Sequence, residues 1–373
     1  MQIPFYRQES GVEEHDSIAD ILDGDDLNCV DDLEQKFKKY IGISYALATS
    51  SGTAALHLAM LALNLKRGDK VICSVNSFVS VPEVVRHFDA EPIFIDIDPL
   101  SYNIDLDKLE GYLQKNVSKK LKAVIITHIA GQCVDLDRLY NIAKLYDIKV
   151  VEDASDALGA TYKGAKIGSL QADITCFSFS AHLKNSVCNG GILATNNQEI
   201  MQRAKLLRNH AMVINEDSLN YIYDVVDIGN KYTMSQLDAA YISARLNKQD
   251  TYIAKHQEIA KKYHDGLAAS PHISLPHAND GAHPFSLYII EVDKNRDSFA
   301  RALLENGIKT GLHYMPLHLL TYYKSKYFLK VNDFPVALSS FQKILSIPIF
   351  AAMQDKEVDY VIETIKKIAK TRV

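Results

Sequence analysis

Short β-branched runs recur along the first half of the chain, each separated from the next by a segment of helical period. That alternation leaves few folds open. The runs are KVICSV from Lys70, PIFIDI from Pro92, AVIITHI from Ala123, KVVED from Lys149, ITCFSF from Ile174 and GILATN from Gly191. Between them lie AALHLAMLAL, LDRLYNIAKLY and EIMQRAKLLRNH, whose apolar residues repeat at helical spacing. Strands joined by helices imply right-handed crossovers and a mostly parallel sheet covered on both faces. In sheets of this kind ligands bind beyond the strand C-termini. Phe78, His128, Asp153 and Lys184 all fall there.

The flanking regions read differently. From Val12 to Tyr40 the pattern is two acidic helices broken by the turn-like GDDLN at Gly24–Asn28. A polar, helical stretch from Asn215 to Asp265 leads into a second β-rich pattern. This comprises SLYIIEV from Ser286, a helix through FARALLENG, IKTGLHY from Ile308, and a last amphipathic helix, EVDYVIETIKKIAK. With 373 residues available, this predicts a large domain over 1–250, including the N-terminal helical segment, and a smaller C-terminal α/β domain over 251–373. The 41 basic and 46 acidic residues are mixed along the chain, so no basic tract points to nucleic acid or an anionic membrane. Five scattered cysteines without C-x-x-C spacing read as reduced, buried thiols of a cytoplasmic protein, not as metal ligands. The opening MQIPFYRQESGVEEHD has no secretory apolar core, and no run of about 18 apolar residues suggests a membrane span.

Three elements carry chemistry together. Asp153 closes KVVED, where a buried acid can hold a pyridine nitrogen protonated. Lys184, in CFSFSAHLKNSVCNGG, offers an amine that desolvation makes nucleophilic and able to act as a base. Ser51-Gly52-Thr53 precede an Ala/Leu-rich helix whose free N–H groups and positive dipole end can seat a phosphate. An imine anchor, a ring-nitrogen partner and a phosphate seat are what pyridoxal 5'-phosphate requires, with pyridoxamine 5'-phosphate formed in its cycle. Taken singly, each residue also has an ordinary reading: a helix cap, a salt-bridged aspartate, a surface lysine. Phe78 can stack on a flat ring or belong to the core. Ser178 faces away from Phe177 and Phe179, as a phosphate ligand or a satisfied core serine. Asp156 can reach the coenzyme's O3′ side or cap a turn. Glu152 points to the opposite strand face and reads as structural. Gly190-Gly191 suggest close backbone packing. His182, His128, His313 and His318 are further candidates without metal spacing.

The chain resembles the DegT/StrS family of nucleotide-sugar aminotransferases, which have the type I pyridoxal phosphate-dependent transferase fold. The resemblance rests on SSGTAALHLAMLAL, the run Glu152–Ala160, FSF with the later GG at Phe177–Gly191, LRNH at Leu207–His210, GNKYTMSQLDAA, GLHYMPLHL, DFPVA and SIPIF. It implies a large three-layer α/β/α domain with a mostly parallel sheet and a smaller C-terminal α/β domain. It implies that Gly52, Thr53 and Ser178 bind the coenzyme phosphate, that Phe78 stacks on the ring, that Asp153 holds its nitrogen and that Lys184 forms the imine. Lys231, in a loop that reaches the partner's phosphate in family dimers, would bind by charge where asparagine is usual. His313, Tyr314 and His318 are the substrate-side candidates. The substrates implied are a keto sugar on a nucleotide and an amino donor such as glutamate or glutamine, in a homodimer with interfacial sites. The pattern also departs from the family. Lys184 stands one residue beyond the usual lysine position, which Leu183 occupies. Asn189 replaces the usual acid, and Thr233 the usual arginine. Asp156 resembles instead the branch of pyridoxamine phosphate-dependent 3-dehydratases, in which His182 would be the base. A non-catalytic member that lost the imine is the third reading.

Overall fold

In the computed structural model, which describes residues 1–8, 10–24, 28–179, 187–214, 222–277 and 283–371, a seven-stranded sheet forms the centre. Its strands are β1 (Tyr45–Thr49), β2 (Lys70–Ser74), β3 (Glu91–Ile95), β4 (Leu121–Thr127), β5 (Lys149–Asp153), β6 (Ile174–Ser178) and β7 (Gly191–Thr195). They lie in the order β1-β7-β6-β5-β4-β2-β3. β3, β2, β4, β5 and β6 run parallel, and β7 runs antiparallel to both β6 and β1. All six runs singled out in the first half of the chain contain strands. β1 was not among them.

The sheet is covered on both faces, as its apolar runs require. On one face lie α1 (Val12–Leu22) and α2 (Cys29–Ile41). Helix α2 carries Asp31 and Asp32 in its first turn and Lys38 and Lys39 in its last, complementing the helix dipole. It ends at Gly42 in the left-handed region, φ 84°. Its apolar residues Leu33, Phe37 and Ile41 recur every four positions and are buried, with the Phe37 ring edge-on to Phe177 at 5.0 Å. On the other face α3 (Gly52–Ala62) buries Ala55, Leu56, Leu58 and Ala59 against Val71, Cys73 and Leu193 of the sheet.

Beyond β7, helices α4 (Gln236–Asn247) and α5 (Gln249–Leu267) lead to a three-stranded antiparallel sheet of β8 (Ile273–Ser274), β9 (Tyr288–Val292) and β10 (Ile344–Ile347). α5 contributes Ile259, Ala260, Tyr263 and Leu267 to this second core, together with α6 (Asp355–Lys370). The chain's first residues join it: Ile3 is buried there, its N–H donating to the Gly307 carbonyl at 2.8 Å, and Arg7 pairs with Glu357 at 2.7 Å. IKTGLHY, expected to be β-rich, makes only isolated bridges, Ile308 with Ile3 and Gly311 with Ser346. Its ladder partner is a short N-terminal segment distant in sequence, so local patterning carried no register for it. All five cysteines are buried and none forms a disulfide. No helix among the described residues is long and apolar enough to cross a membrane.

Candidate active site

The period-two alternation of β5 decides which acid faces the site. Glu152 and Asp153 point to opposite faces, and both are buried. Glu152 accepts a hydrogen bond from the Tyr140 hydroxyl at 2.6 Å and from Thr175 at 3.3 Å, so it is held within the packed face. Asp153 faces the α3 side, as do its cross-strand neighbour Cys176 and, two residues on, Ser178. Its Oδ1 accepts from the Ser155 hydroxyl at 2.6 Å and the Ser155 N–H at 3.2 Å, and its Oδ2 from Thr127 Oγ1 at 3.3 Å. Burial pushes the Asp153 carboxyl above its ordinary range, and the nearby Asp156 adds to this while Ser155 and Thr127 oppose it. An acid held this way gains from a cation beside it.

The N-terminus of α3 reaches the same edge because two glycines permit it. A Cβ on Gly52 would lie 2.6 Å from Ser178 Cβ and 2.9 Å from its Oγ. A Cβ on Gly191 would lie 2.4 Å from the Ser51 carbonyl oxygen. The cap is made by the Ser51 side chain, which accepts from the Ala54 N–H at 3.1 Å. The N–H groups of Gly52 and Thr53 have no acceptor among the described residues, and Thr53 is exposed. Helix start, Ser178 and Asp153 therefore converge at the C-terminal edge of β5 and β6, a geometry that suits a phosphate and a basic ring nitrogen on one ligand.

Other predicted residues surround this edge. Phe78, just past β2, is 52% exposed, with its ring 5.9 Å from that of Tyr314. Burial pushes the Tyr314 hydroxyl well above its ordinary value, with Asp156 and Asp153 adding to the shift. Asp156 is buried, and its Oδ2 accepts the Ala130 N–H at 3.1 Å. Lys231 is exposed, with Nζ 3.3 Å from Asn209 Oδ1. The adjoining Tyr232 carbonyl accepts the Ser50 N–H at 2.8 Å, which ties that loop to the turn before α3. Lys184 and His182 lie outside the described residues.

The histidines named from the sequence are all buried where they are described. His318 is fully buried, its Nε2 on the Val331 carbonyl at 3.1 Å and its ring against Phe334. His313 is buried too, bonded to Ser346 Oγ at 2.8 Å and stacked on Phe5. Both sit in a motif whose apolar packing took the imidazoles inward. His128 is likewise fully buried, near Glu152. Sequence reasoning missed Thr127 and Ser155, which hold Asp153. It also missed a cavity of about 170 Å³ beside the site, lined by Tyr6, Ser155, Ser178, Arg245 and Pro284 among others. Ser155 stood next to a flagged acid and was within reach of the reading; Tyr6 and Arg245 carried no local signal.

Comparison with known proteins agrees with this geometry. The model of the DegT/DnrJ/EryC1/StrS aminotransferase family matches residues 9–366. The uncharacterized protein MJ1066 of Methanocaldococcus jannaschii is 34% identical, over 98% of this chain and 97% of its own length. The spore coat polysaccharide biosynthesis protein SpsC of Bacillus subtilis is 33% identical, over 99% and 97%. The putative sugar aminotransferase Spr1654 of Streptococcus pneumoniae, in its PLP-form, superposes with a TM-score of 0.91 over 100% of both chains at 27% identity.

Proposed function

Because the chain belongs to the DegT/DnrJ/EryC1/StrS aminotransferase family, we propose that it transfers an amino group from glutamate or glutamine to a keto group of a nucleotide-linked deoxysugar. The product would serve surface-glycan or related sugar biosynthesis in the cytoplasm. Pyridoxal phosphate is the coenzyme; when bound it supplies the electron sink on which the amino group passes between donor and acceptor. The observation that carries this reading is the convergence of the α3 N-terminus, Ser178 and Asp153 at one strand edge.

The chain's own groups divide the work. The Gly52 and Thr53 N–H groups and the Ser178 hydroxyl hold the phosphate, helped by the helix dipole. The Asp153 carboxylate accepts a hydrogen bond from the protonated ring nitrogen, in a setting where Ser155 and Thr127 fix its orientation. The Phe78 ring, which is exposed, would cover one face of the coenzyme, and Asp156 would border its O3′ side. Lys184 supplies Nζ as covalent anchor and, when free, as the base that moves the proton at the amino-bearing carbon. Lys231 adds positive charge to a phosphate. A homodimer with interfacial sites is supported by the hairpin of Met212–Ile214 and Tyr223–Val225, which exposes Val213, Ile214, Tyr223 and Val225 and is followed by Ile228 at 80% exposure.

The test is incubation of the purified protein with pyridoxal phosphate, glutamate and a nucleotide-linked keto-deoxysugar, read by mass spectrometry. An amino sugar is the expected product. Loss of water at C3 would replace this reading with the dehydratase, for which Asp156 and His182 speak. No turnover and no coenzyme absorbance would replace it with a non-catalytic protein. Borohydride trapping on a residue other than Lys184 would overturn the anchor assignment.

A further inference from the structure

Asn76 follows β2 at its C-terminal edge, two residues before Phe78. It is buried beside an apolar cluster that includes Val75, Tyr102 and Leu317. An amide in such a place is costly unless both of its ends are bonded. Here both are. Nδ2 donates to the Tyr102 carbonyl at 3.2 Å, and Oδ1 accepts the Tyr314 N–H at 3.3 Å. The partners fix which end is which, because a carbonyl only accepts and an N–H only donates. An ionised aspartate of the same shape would still accept from Tyr314, but it would face the Tyr102 carbonyl with a second acceptor.

Each segment that Asn76 joins is anchored elsewhere. The Tyr102 hydroxyl donates to Glu291 Oε1 at 3.0 Å, and its N–H to the Asp98 carbonyl at 3.0 Å. The Leu317 N–H donates to the Val75 carbonyl at 2.9 Å, and the Val81 N–H to the Phe78 carbonyl at 3.1 Å. Those bonds hold the segments without joining the backbone of Tyr314 to the loop of Phe78. Asn76 makes that connection between residues 238 positions apart. The two rings meet with centroids 5.9 Å apart and planes inclined at 54°. We propose that Asn76 is a positioning residue: its amide sets the Phe78–Tyr314 pair, and through that pair it holds the aromatic wall against the coenzyme. Its effect on the coenzyme rests on the stacking reading of Phe78 given above.

The chain contains no tryptophan, so Phe78→Trp gives a protein with a single indole. Phe78 is exposed, which leaves room for the larger ring. Fluorescence anisotropy decay of the coenzyme-free protein reads how freely that indole moves. Adding Asn76→Ala should at least double the amplitude of the fast, local component. Asn76→Asp should raise it too, and it is the variant read if Asn76→Ala fails to fold. Thr195→Val is the control, because it breaks a buried bond of 2.6 Å to the Asp173 carbonyl at the far end of β7. It should lower Tm and leave the decay unchanged. With Phe78 in place, Asn76→Ala should raise the pyridoxal phosphate Kd roughly 3- to 10-fold, the equivalent of one neutral hydrogen bond. In a Phe78→Ala background the same substitution should change it less than twofold. A fast component unchanged in both Asn76 variants, or raised equally by Thr195→Val, overturns the proposal. A Kd shift of the same size with and without the Phe78 ring also overturns it. Coenzyme that leaves the Phe78→Trp fluorescence unquenched is a separate outcome, which strikes the stacking reading and leaves the anisotropy result standing.

Discussion

A single methyl group at Gly191 should disconnect the phosphate seat from the sheet. A Cβ there would stand 2.4 Å from the Ser51 carbonyl oxygen, 2.5 Å from its carbon and 2.7 Å from the Gly52 nitrogen. Ordinary contact begins at about 3.5 Å, so one side must move by roughly 1 Å. β7 cannot easily be that side, because Gly191 is paired to Ser178 in β6 and to Thr49 in β1. The displacement therefore falls on the first turn of α3. Overpacking of this kind costs about 1–3 kcal/mol. At about 2.1 cal/mol/K of unfolding entropy per residue over a chain of 373 residues, each kcal/mol moves Tm by roughly 1–2 °C. Gly191→Ala should then melt about 1–4 °C lower. Loss of one hydrogen bond to a charged phosphate, about 1.5–3 kcal/mol, should raise the pyridoxal phosphate Kd by roughly 10- to 100-fold. Gly190→Ala is the control. Its Cβ would meet Ile242 Cδ1 at 2.6 Å and Met234 Cε at 2.7 Å, which are movable side-chain tips. Thermal melts and absorbance titrations with pyridoxal phosphate read both variants. A Gly191→Ala protein with parental Tm and Kd, or a Gly190→Ala protein that loses as much affinity, would refute the reasoning.

Asp153→Asn should leave the coenzyme-free protein as stable or more so near neutral pH while costing coenzyme binding on the order of 3 kcal/mol. The sign follows from its raised pKa: the stability from the protonated acid is present at low pH and is lost as pH rises through the folded value. A lower Tm for the coenzyme-free variant would contradict this. His256 and His283 are both pushed down to about 4 by burial, so the folded state should lose stability as pH falls from about 6.5 towards 4. Buried His283 alone would account for on the order of 3 kcal/mol, the free-energy equivalent of its burial-driven shift, and its Nδ1 accepts the Phe285 N–H at 2.8 Å. Melts of His283→Gln at pH 4.5 and 7.5 should show a smaller difference than the parent's, and an equal difference counts against the assignment. Ile228→Asp, placed on the exposed apolar hairpin, should give a monomer in light-scattering chromatography; an unchanged dimer would move the interface elsewhere.

Much of the site was written in local pattern. KVVED ends in two acids of opposite facing, and strand periodicity alone sent Glu152 inward to Tyr140 and Asp153 towards α3. The same periodicity set Ser178 apart from Phe177, and the serine cap with its glycine marked where α3 begins. Strand and helix order, and the edge on which ligands bind, follow from such short-range regularities because each is enforced by backbone geometry within a few residues. Tertiary packing decided the rest. Gly191 meets Ser51, Ser286 Oγ donates to the Asp156 carbonyl, Tyr6 shares a cavity with Arg245, and Ile3 pairs with Ile308. The stacking of the His313 ring on Phe5 joins residues from opposite ends of the chain. These pairs lie up to hundreds of residues apart, and their contact depends on how whole faces fill space, which no window of sequence contains.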